Sequence, residues 1–259
     1  MPPTWRDDCT ATFPANLDLI NGQWLQTQLD PYNRNDQAAS RDIVDTIVEK
    51  GDLIIRDLGY ANIEAFRAIE AKSAYFLSRL NPTTRVLELD GRPIDLLALA
   101  RKHAPNPGDH FAKEIQLGVE KHFKCRVVII RVPREVAEQR RRHLKKEGKR
   151  QGMKHREAYL KLQDWTIMVT NLEEEQASIE QLYHLYRMRW RIENVFKIAK
   201  SHTELQRVAK HRSNRHHVQI LLWAWLLLMI ELSRQGIFRL LEHGGKDSGL
   251  VGVGYSVFK

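Results

Sequence analysis

Cysteine is scarce in this sequence. The 259 residues contain only Cys9 and Cys125, and there is neither a CxxC pair nor a Cys/His cluster. The sequence therefore excludes a disulfide framework, or a structural zinc site of the usual spacing, as the basis of the fold. Because such a composition is typical of proteins in a reducing compartment, we predict a cytoplasmic location.

Long apolar segments are also lacking. The longest apolar run covers residues 220–230 (ILLWAWLLLMI). It is too short to cross about 30 Å of hydrocarbon. We therefore predict a buried helix over residues 218–235 and no membrane partner, although this run is the one feature that would favour a membrane-associated basic protein. The first ten residues, MPPTWRDDCT, lack the apolar core of a secretory signal.

Positive charge, in contrast, is abundant and concentrated. The net charge is +9, and residues 131–161 contain 12 Lys and Arg against 4 Glu. Such concentration favours contacts with the phosphates of double-stranded DNA, which set affinity without reading the base sequence. The alternative is a solvated basic surface. Gly148 and Gly152 predict a helix, a loose turn and a second helix. The candidate DNA-binding residues are Arg140, Arg141, Arg142, Lys145, Lys146, Lys149 and Arg150.

Signals for strands and helices alternate in the first part of the chain. Asn21-Gly22 between β-prone runs predicts a hairpin. A helix over residues 36–50 follows, and then a short apolar strand over residues 52–57 ends at Asp57. Asp57 has two interpretations. It is either a turn-forming or N-capping residue ahead of the next helix, or an active-site acid at a strand end, where ligands bind in such sheets.

One helix further along the chain has an unusual polar face. Residues 178–201 contain no Pro or Gly, and Ser178 is a suitable N-cap. At about 100° per residue, four polar side chains fall within about 60° of one another beside an apolar stripe. They are Tyr186, Arg189, Glu193 and Lys200. One carboxylate among a hydroxyl and two cations suits a site that holds a metal and a phosphate chain together.

The spacing of these four residues resembles the Y-R-E-K signature of DDE transposases of the insertion-sequence-four family. The order of hairpin, helix and strand ending at Asp57 resembles half of a ribonuclease-H-like core. The resemblance implies that Asp57 and Glu193 are catalytic carboxylates that bind Mg²⁺, with Mn²⁺ as a substitute, for two-metal chemistry. It also implies that Tyr186, Arg189 and Lys200 contact phosphates near the ends of the element.

The resemblance further implies an α/β fold in which a ribonuclease-H-like core, a mixed sheet flanked by helices, is interrupted by a mostly β insertion. On this basis we expect five segments. They are the first part of the catalytic core (1–80), the β-rich insertion (81–133), a basic helical segment (134–163), the second part of the core (164–238) and a flexible tail (239–259).

The third carboxylate of the family has no evident counterpart. In a ribonuclease-H-like core the first Asp lies on the first of three antiparallel strands, and only two strands can be assigned before residue 36. We therefore expect the first core strand to be absent, upstream of Met1, unless Asp8 supplies the carboxylate. One hypothesis is a metal-dependent transposase that binds and cuts element ends. The other is an inactive DNA-binding remnant that interferes with the full-length enzyme. We expect a homodimer or a mixed dimer with that enzyme.

Overall fold

The computed structural model describes residues 11–12, 15–18, 24–27, 30–31, 44–56, 62–81, 84–118, 122–189 and 252–255, and helical residues 220, 223, 224 and 227. The chain forms two compact units. The first comprises residues 1–60, 72–74 and 185–259, and the second comprises residues 61–71 and 75–184.

Strands and helices alternate along the described residues, which confirms the predicted α/β class. The strands are β1 (Ala11–Thr12), β2 (Ala15–Asp18), β3 (Trp24–Thr27), β4 (Asp30–Pro31), β5 (Leu53–Arg56), β6 (Tyr75–Arg79), β7 (Val86–Leu87), β8 (His110–Leu117), β9 (Phe123–Arg131), β10 (Trp165–Thr170) and β11 (Gly252–Tyr255). The helices are α1 (residues 44–47), α2 (Ile63–Ala71), α3 (Leu96–His103), α4 (Arg134–Gln151), α5 (Glu157–Lys161) and α6 (residues 179–189).

Four strands of the first unit lie side by side in the order β3–β2–β11–β5. β2 and β3 are antiparallel, with Ala15 opposite Thr27, which confirms the predicted hairpin. β11 is antiparallel to β2 and parallel to β5. This part of the sheet is therefore mixed, as the resemblance implied.

The position of β11 corrects one expectation. Residues 252–255 belong to the segment for which the sequence predicts a flexible tail, yet Val253 lies opposite both Asp18 of β2 and Ile54 of β5. β11 occupies the side of β2 opposite to β3, so it satisfies backbone groups that would otherwise form an open edge. Its sequence, Gly-Val-Gly-Tyr, lacks the alternation that identifies a strand, which is why the pattern gave no signal.

The strand that leads to Asp57 is held inside the first unit. All four residues of β5 are buried, as expected for a strand that is covered on both faces. α1, the described part of the helix predicted over residues 36–50, buries Val44. Lys72 Nζ donates hydrogen bonds to the carbonyls of Asp45 and Val48, at 2.7 and 3.1 Å. These bonds satisfy carbonyls that the end of α1 leaves free.

The second unit contains an antiparallel sheet in the order β6–β10–β9–β8–β7. β9 and β10 are its central strands, and the continuous apolar runs in their sequences are buried on both faces. Phe66 of α2 stacks on Phe76 of β6 with ring centroids 4.2 Å apart, and Phe76 contacts Phe123 of β9. These aromatic contacts attach α2 to the sheet.

The predicted segment boundaries remain predictions about domains. β7, β8 and β9 fall in the expected β-rich insertion (81–133), and they pair in one sheet with β6 and β10, which fall in the expected core segments. The strands of the expected insertion therefore belong to the same sheet as β6 and β10.

The basic segment forms a helix, a turn and a second helix, as predicted, but the turn follows Gly152 and does not begin at Gly148. α4 runs through Gly148 and ends only at Gly152, whose φ of +68° is the left-handed conformation that commonly closes a helix. Gly148 is buried, and its carbonyl accepts a hydrogen bond from Met153 N at 2.8 Å. A Cβ at position 148 would lie 2.6 Å from the Met153 carbonyl oxygen, so this glycine permits close approach of the chain and does not break the helix.

Candidate nucleic-acid interface

The predicted carboxylate pair lies outside the described residues. Asp57 directly follows β5, and Glu193 and Lys200 follow the described part of α6. Asp8 also lies outside. Asp and Glu carboxylates are the hard oxygen ligands that Mg²⁺ and Mn²⁺ take, so the chemistry of Asp57 and Glu193 fits the implied metal. Within the part of the chain that the structure describes, no three His, Cys, Asp or Glu side chains come together as metal ligands.

α6 begins where its sequence predicts. Ser178 N donates to Gln181 Oε1 at 2.8 Å, and Gln181 N donates to Ser178 Oγ at 3.3 Å. These two reciprocal bonds form a capping box, which satisfies two amides that the helix leaves free at its start. Ser178 is therefore confirmed as the N-cap, and it fixes the phase of the helix that carries Tyr186 and Arg189.

Tyr186 and Arg189 share one face of α6, as their spacing predicts. The ring of Tyr186 is buried, and the Cζ atom of Arg189 lies 5.4 Å from its centroid. A guanidinium over an aromatic face is attracted by the electron density of the ring. The contact holds the Arg189 side chain in one direction.

The cations of α4 divide into an inner and an outer group. Arg140 donates to the Trp165 carbonyl at 3.2 Å and to Thr166 Oγ1 at 3.0 Å. Arg141 donates to a carboxylate oxygen of Asp164. Both side chains therefore attach α4 to the start of β10, a structural task that their sequence context did not reveal.

The outer group forms a continuous cationic surface. Its exposed residues begin at Arg142 and continue three, four, seven and eight positions later, which places them on one side of a helix. They are Arg142, Lys145, Lys146, Lys149 and Arg150, and we call them the α4 cationic face. Arg150 has a long contact with Glu147, 3.7 Å between nitrogen and oxygen. Five cations on one side of one helix make a surface suited to a polyanion.

Two features escaped sequence reasoning because a local pattern does not reveal them. Arg56, the last residue of β5, is completely buried directly before Asp57. Arg131 at the end of β9 lies with its Cζ 4.2 Å from the centroid of Trp165 and its Nη1 3.0 Å from Asp164 Oδ2. Each is an arginine at the end of an apolar strand, and this position is the only signal that could have marked them.

The predicted helix over residues 218–235 is helical at the positions described. The prediction that this helix is buried is wrong for one face. Ile220, Trp223 and Leu227 expose 63%, 54% and 66% of their surface. The three residues are spaced by three and four positions and so form one apolar side of the helix. Among the described residues no helix is both long and apolar enough to cross a bilayer.

Comparison with known proteins gives consistent matches. The family model of the transposase DDE domain matches residues 15–229. Transposases for the insertion sequence elements IS231B and IS231C of Bacillus thuringiensis subsp. berliner are each 30% identical to this chain, over 199 and 201 residues. These matches cover 71% of this chain and 41% of each relative. A transposase for the element IS1151 of Clostridium perfringens is 23% identical over 180 residues, or 63% of this chain and 38% of that relative.

Proposed function

This chain belongs to the DDE transposases of the insertion-sequence-four type, and we propose that it binds the DNA ends of an insertion element. The observation that carries the proposal is the α4 cationic face. Its positive charge is complementary to DNA, the partner that membership of a transposase family suggests. The chain spans about two fifths of the length of the relatives that it matches. DNA binding, strand cleavage and assembly are therefore all proposals for this chain.

The α4 cationic face supplies the contacts to phosphates. Its lysines are flexible point charges that follow a DNA backbone without a fixed geometry, whereas its arginines can bind one phosphate through two nitrogens. Such contacts hold the duplex in place and are independent of base sequence. Arg140 and Arg141 contribute by fixing α4 to β10, so we assign them a supporting role in binding.

The proposed reaction centre rests on the two candidate carboxylates. Asp57 and Glu193 are the candidate ligands for Mg²⁺, with Mn²⁺ as a substitute, and a pair of such ions supplies charge stabilisation for phosphodiester cleavage and joining. Arg189, held over Tyr186, and Lys200 bind phosphates close to these carboxylates. Tyr186 positions Arg189 through its ring and adds a hydroxyl that can donate to a phosphate oxygen.

A second candidate function is DNA binding without cleavage. Family members use three carboxylates, and Asp57 and Glu193 account for two, with Asp8 as the remaining candidate. A chain that binds ends through α4 but does not cut them would compete with the full-length transposase. The exposed apolar side formed by Ile220, Trp223 and Leu227 supports a protein contact of the kind that a homodimer or mixed dimer needs. A cytoplasmic location is part of the proposal, and the free, buried thiol of Cys125 agrees with it.

Two measurements test these functions. The first titrates the chain with fluorescent duplexes taken from the DNA that flanks its coding sequence, at salt concentrations from about 50 to 200 mM. We expect binding that weakens steeply as salt rises, because bound counterions must be released; binding that salt leaves unchanged would contradict the proposal. The second measures end nicking with Mg²⁺ in the chain and in Glu193→Gln. Nicking that Glu193→Gln abolishes favours the enzyme, and binding without nicking favours the remnant.

A further inference from the structure

A cavity of about 300 Å³ lies in the second unit, where the last turn of α3 and the end of α5 meet the ends of two central strands. Its volume is at the lower limit of ligand-binding pockets, so it suits a small group. The lining residues are Arg101, Pro105, Arg131, Lys161, Asp164 and Trp165. We call it the Arg131 cavity.

Cations dominate the lining of the Arg131 cavity. Asp164 is the one carboxylate among the lining residues, and both of its oxygens are engaged, Oδ2 by Arg131 at 3.0 Å and Oδ1 by Arg141. Lys161 pairs with the exposed Glu157, 2.6 Å between nitrogen and oxygen. Arg101, in the last turn of α3, adds a further positive charge at the rim. The acidic charge is therefore neutralised and an excess of positive charge remains.

Arg131 is held rigidly in this cavity. Its guanidinium packs on the ring of Trp165, and Trp165 Nε1 donates in turn to the Ala104 carbonyl at 2.8 Å. Arg131 Nε is buried and has no hydrogen-bond acceptor within the described residues. Burial, together with the positive charge of Arg101, lowers the pKa of Arg131. A partly buried, fixed cation with further positive charge beside it would be stabilised by an anion.

We propose that the Arg131 cavity binds one backbone phosphate of DNA, in addition to the phosphates that contact the α4 cationic face. Trp165 is buried and Arg131 covers its ring, so the cavity offers charge and hydrogen-bond donors and no free ring on which a base could stack. Arg141 connects the two sites, because it projects from α4 to the Asp164 carboxylate in the cavity wall. The inference rests on the proposed function, and a free phosphate group is the other source of the same chemistry.

The test removes positive charge at the rim while leaving the Arg131–Trp165 contact in place. Arg101 and Lys161 are exposed, so the double variant Arg101→Gln/Lys161→Gln is expected to fold normally by circular dichroism. The matched control is Arg92→Gln/Lys124→Gln, which removes two exposed cations that pair with Asp90 and Glu114 elsewhere in the second unit. The logarithm of the binding constant for an element-end duplex is measured against the logarithm of salt concentration for each protein. A parallel titration with inorganic phosphate follows the indole N–H resonance of Trp165, assigned with Trp165→Phe.

The proposal predicts that the rim variant reduces the magnitude of the salt slope by about 0.9, the value for one phosphate that the protein no longer neutralises, while the control keeps the wild-type slope. It also predicts that phosphate shifts the Trp165 resonance and that duplex DNA competes with this shift. An unchanged slope in a rim variant that still binds DNA would overturn the proposal, whether or not free phosphate shifts the resonance. Failure of the wild-type chain to bind the duplex at all would instead overturn the proposed function.

Discussion

The guanidinium of Arg189 lies over the ring of Tyr186, with Cζ 5.4 Å from the ring centroid. The two residues belong to the signature that identifies the family, and their contact explains why an aromatic residue stands three positions before an arginine. The ring directs the cation, and we propose that the cation binds a phosphate. Substitutions of Tyr186 and Arg189 can therefore test this contact.

We predict that Tyr186→Phe retains most of the DNA affinity, because phenylalanine keeps the ring, whereas Tyr186→Leu weakens binding by a few-fold, as the loss of one cation–π contact requires. A double-mutant cycle between Tyr186→Leu and Arg189→Gln should give a coupling free energy of about 0.5–1 kcal/mol in duplex binding, the size of a partly exposed cation–π contact. Additive effects of the two substitutions on the binding free energy would show that Tyr186 does not position Arg189.

Substitution of Asp164 is predicted to lower the stability of the protein. Its carboxylate contacts Arg131 and Arg141, so Asp164→Asn leaves two guanidiniums without their counter-charge. We expect the free energy of unfolding in urea to fall by about 1–3 kcal/mol. Asp90→Asn is the control, because the Asp90–Arg92 pair is exposed and such pairs contribute at most about 1 kcal/mol. Equal effects of the two substitutions would contradict the structural role of Asp164.

For Gly148→Ala we predict a change in stability opposite to the one that helix propensity alone would give. In the interior of an exposed helix, Gly→Ala stabilises by about 1 kcal/mol. Here the new Cβ would lie 2.6 Å from the Met153 carbonyl oxygen, so we expect Gly148→Ala to destabilise the protein by about 1–3 kcal/mol. Thermal unfolding followed by circular dichroism measures the difference. A higher melting temperature for Gly148→Ala would mean that α4 does not close against residue 153.

The strand β11 predicts slow exchange of backbone amides near the end of the chain. Amides of Gly252–Tyr255 should exchange with solvent more slowly than those of an unstructured peptide, because β11 pairs with β2 and β5. Removal of residues 249–259 should in turn accelerate exchange in β2 and β5. Hydrogen exchange read by mass spectrometry measures both effects, and amides of residues 252–255 that exchange at the unstructured rate would support the flexible tail instead.

Much of the fold follows from local sequence where one physical signal dominates. β9 and β10 are long apolar runs rich in β-branched residues, and Asn21-Gly22 marks the β2–β3 hairpin. The start of α6 follows from Ser178 and Gln181, whose side chains and backbones bond reciprocally. In the hairpin and the helix cap, the interacting residues lie close together in sequence. In β9 and β10, both faces of the strand are buried. The local sequence pattern is therefore sufficient to predict these elements.

Features that depend on distant partners could not be predicted in the same way. Arg140 and Arg142 are equivalent in sequence, and only the packing of α4 against β10 turns the first inward and the second toward solvent. β11 is identified by its pairing with strands almost two hundred residues or more away, and not by its own composition. The roles of Asp57, which directly follows β5, and of Glu193, which lies four positions after the described part of α6, rest on the resemblance and remain proposals.

The most direct test of DNA binding through α4 compares two triple variants of the chain. Lys145→Gln/Lys146→Gln/Lys149→Gln removes three charges from the α4 cationic face, and Lys50→Gln/Arg92→Gln/Lys124→Gln removes three exposed charges elsewhere. We predict that the first variant reduces the magnitude of the salt slope of duplex binding by about 0.9 for each phosphate that the face no longer neutralises, and that the second leaves it unchanged. Equal slopes for the first variant and the wild-type chain would contradict the claim that α4 binds DNA.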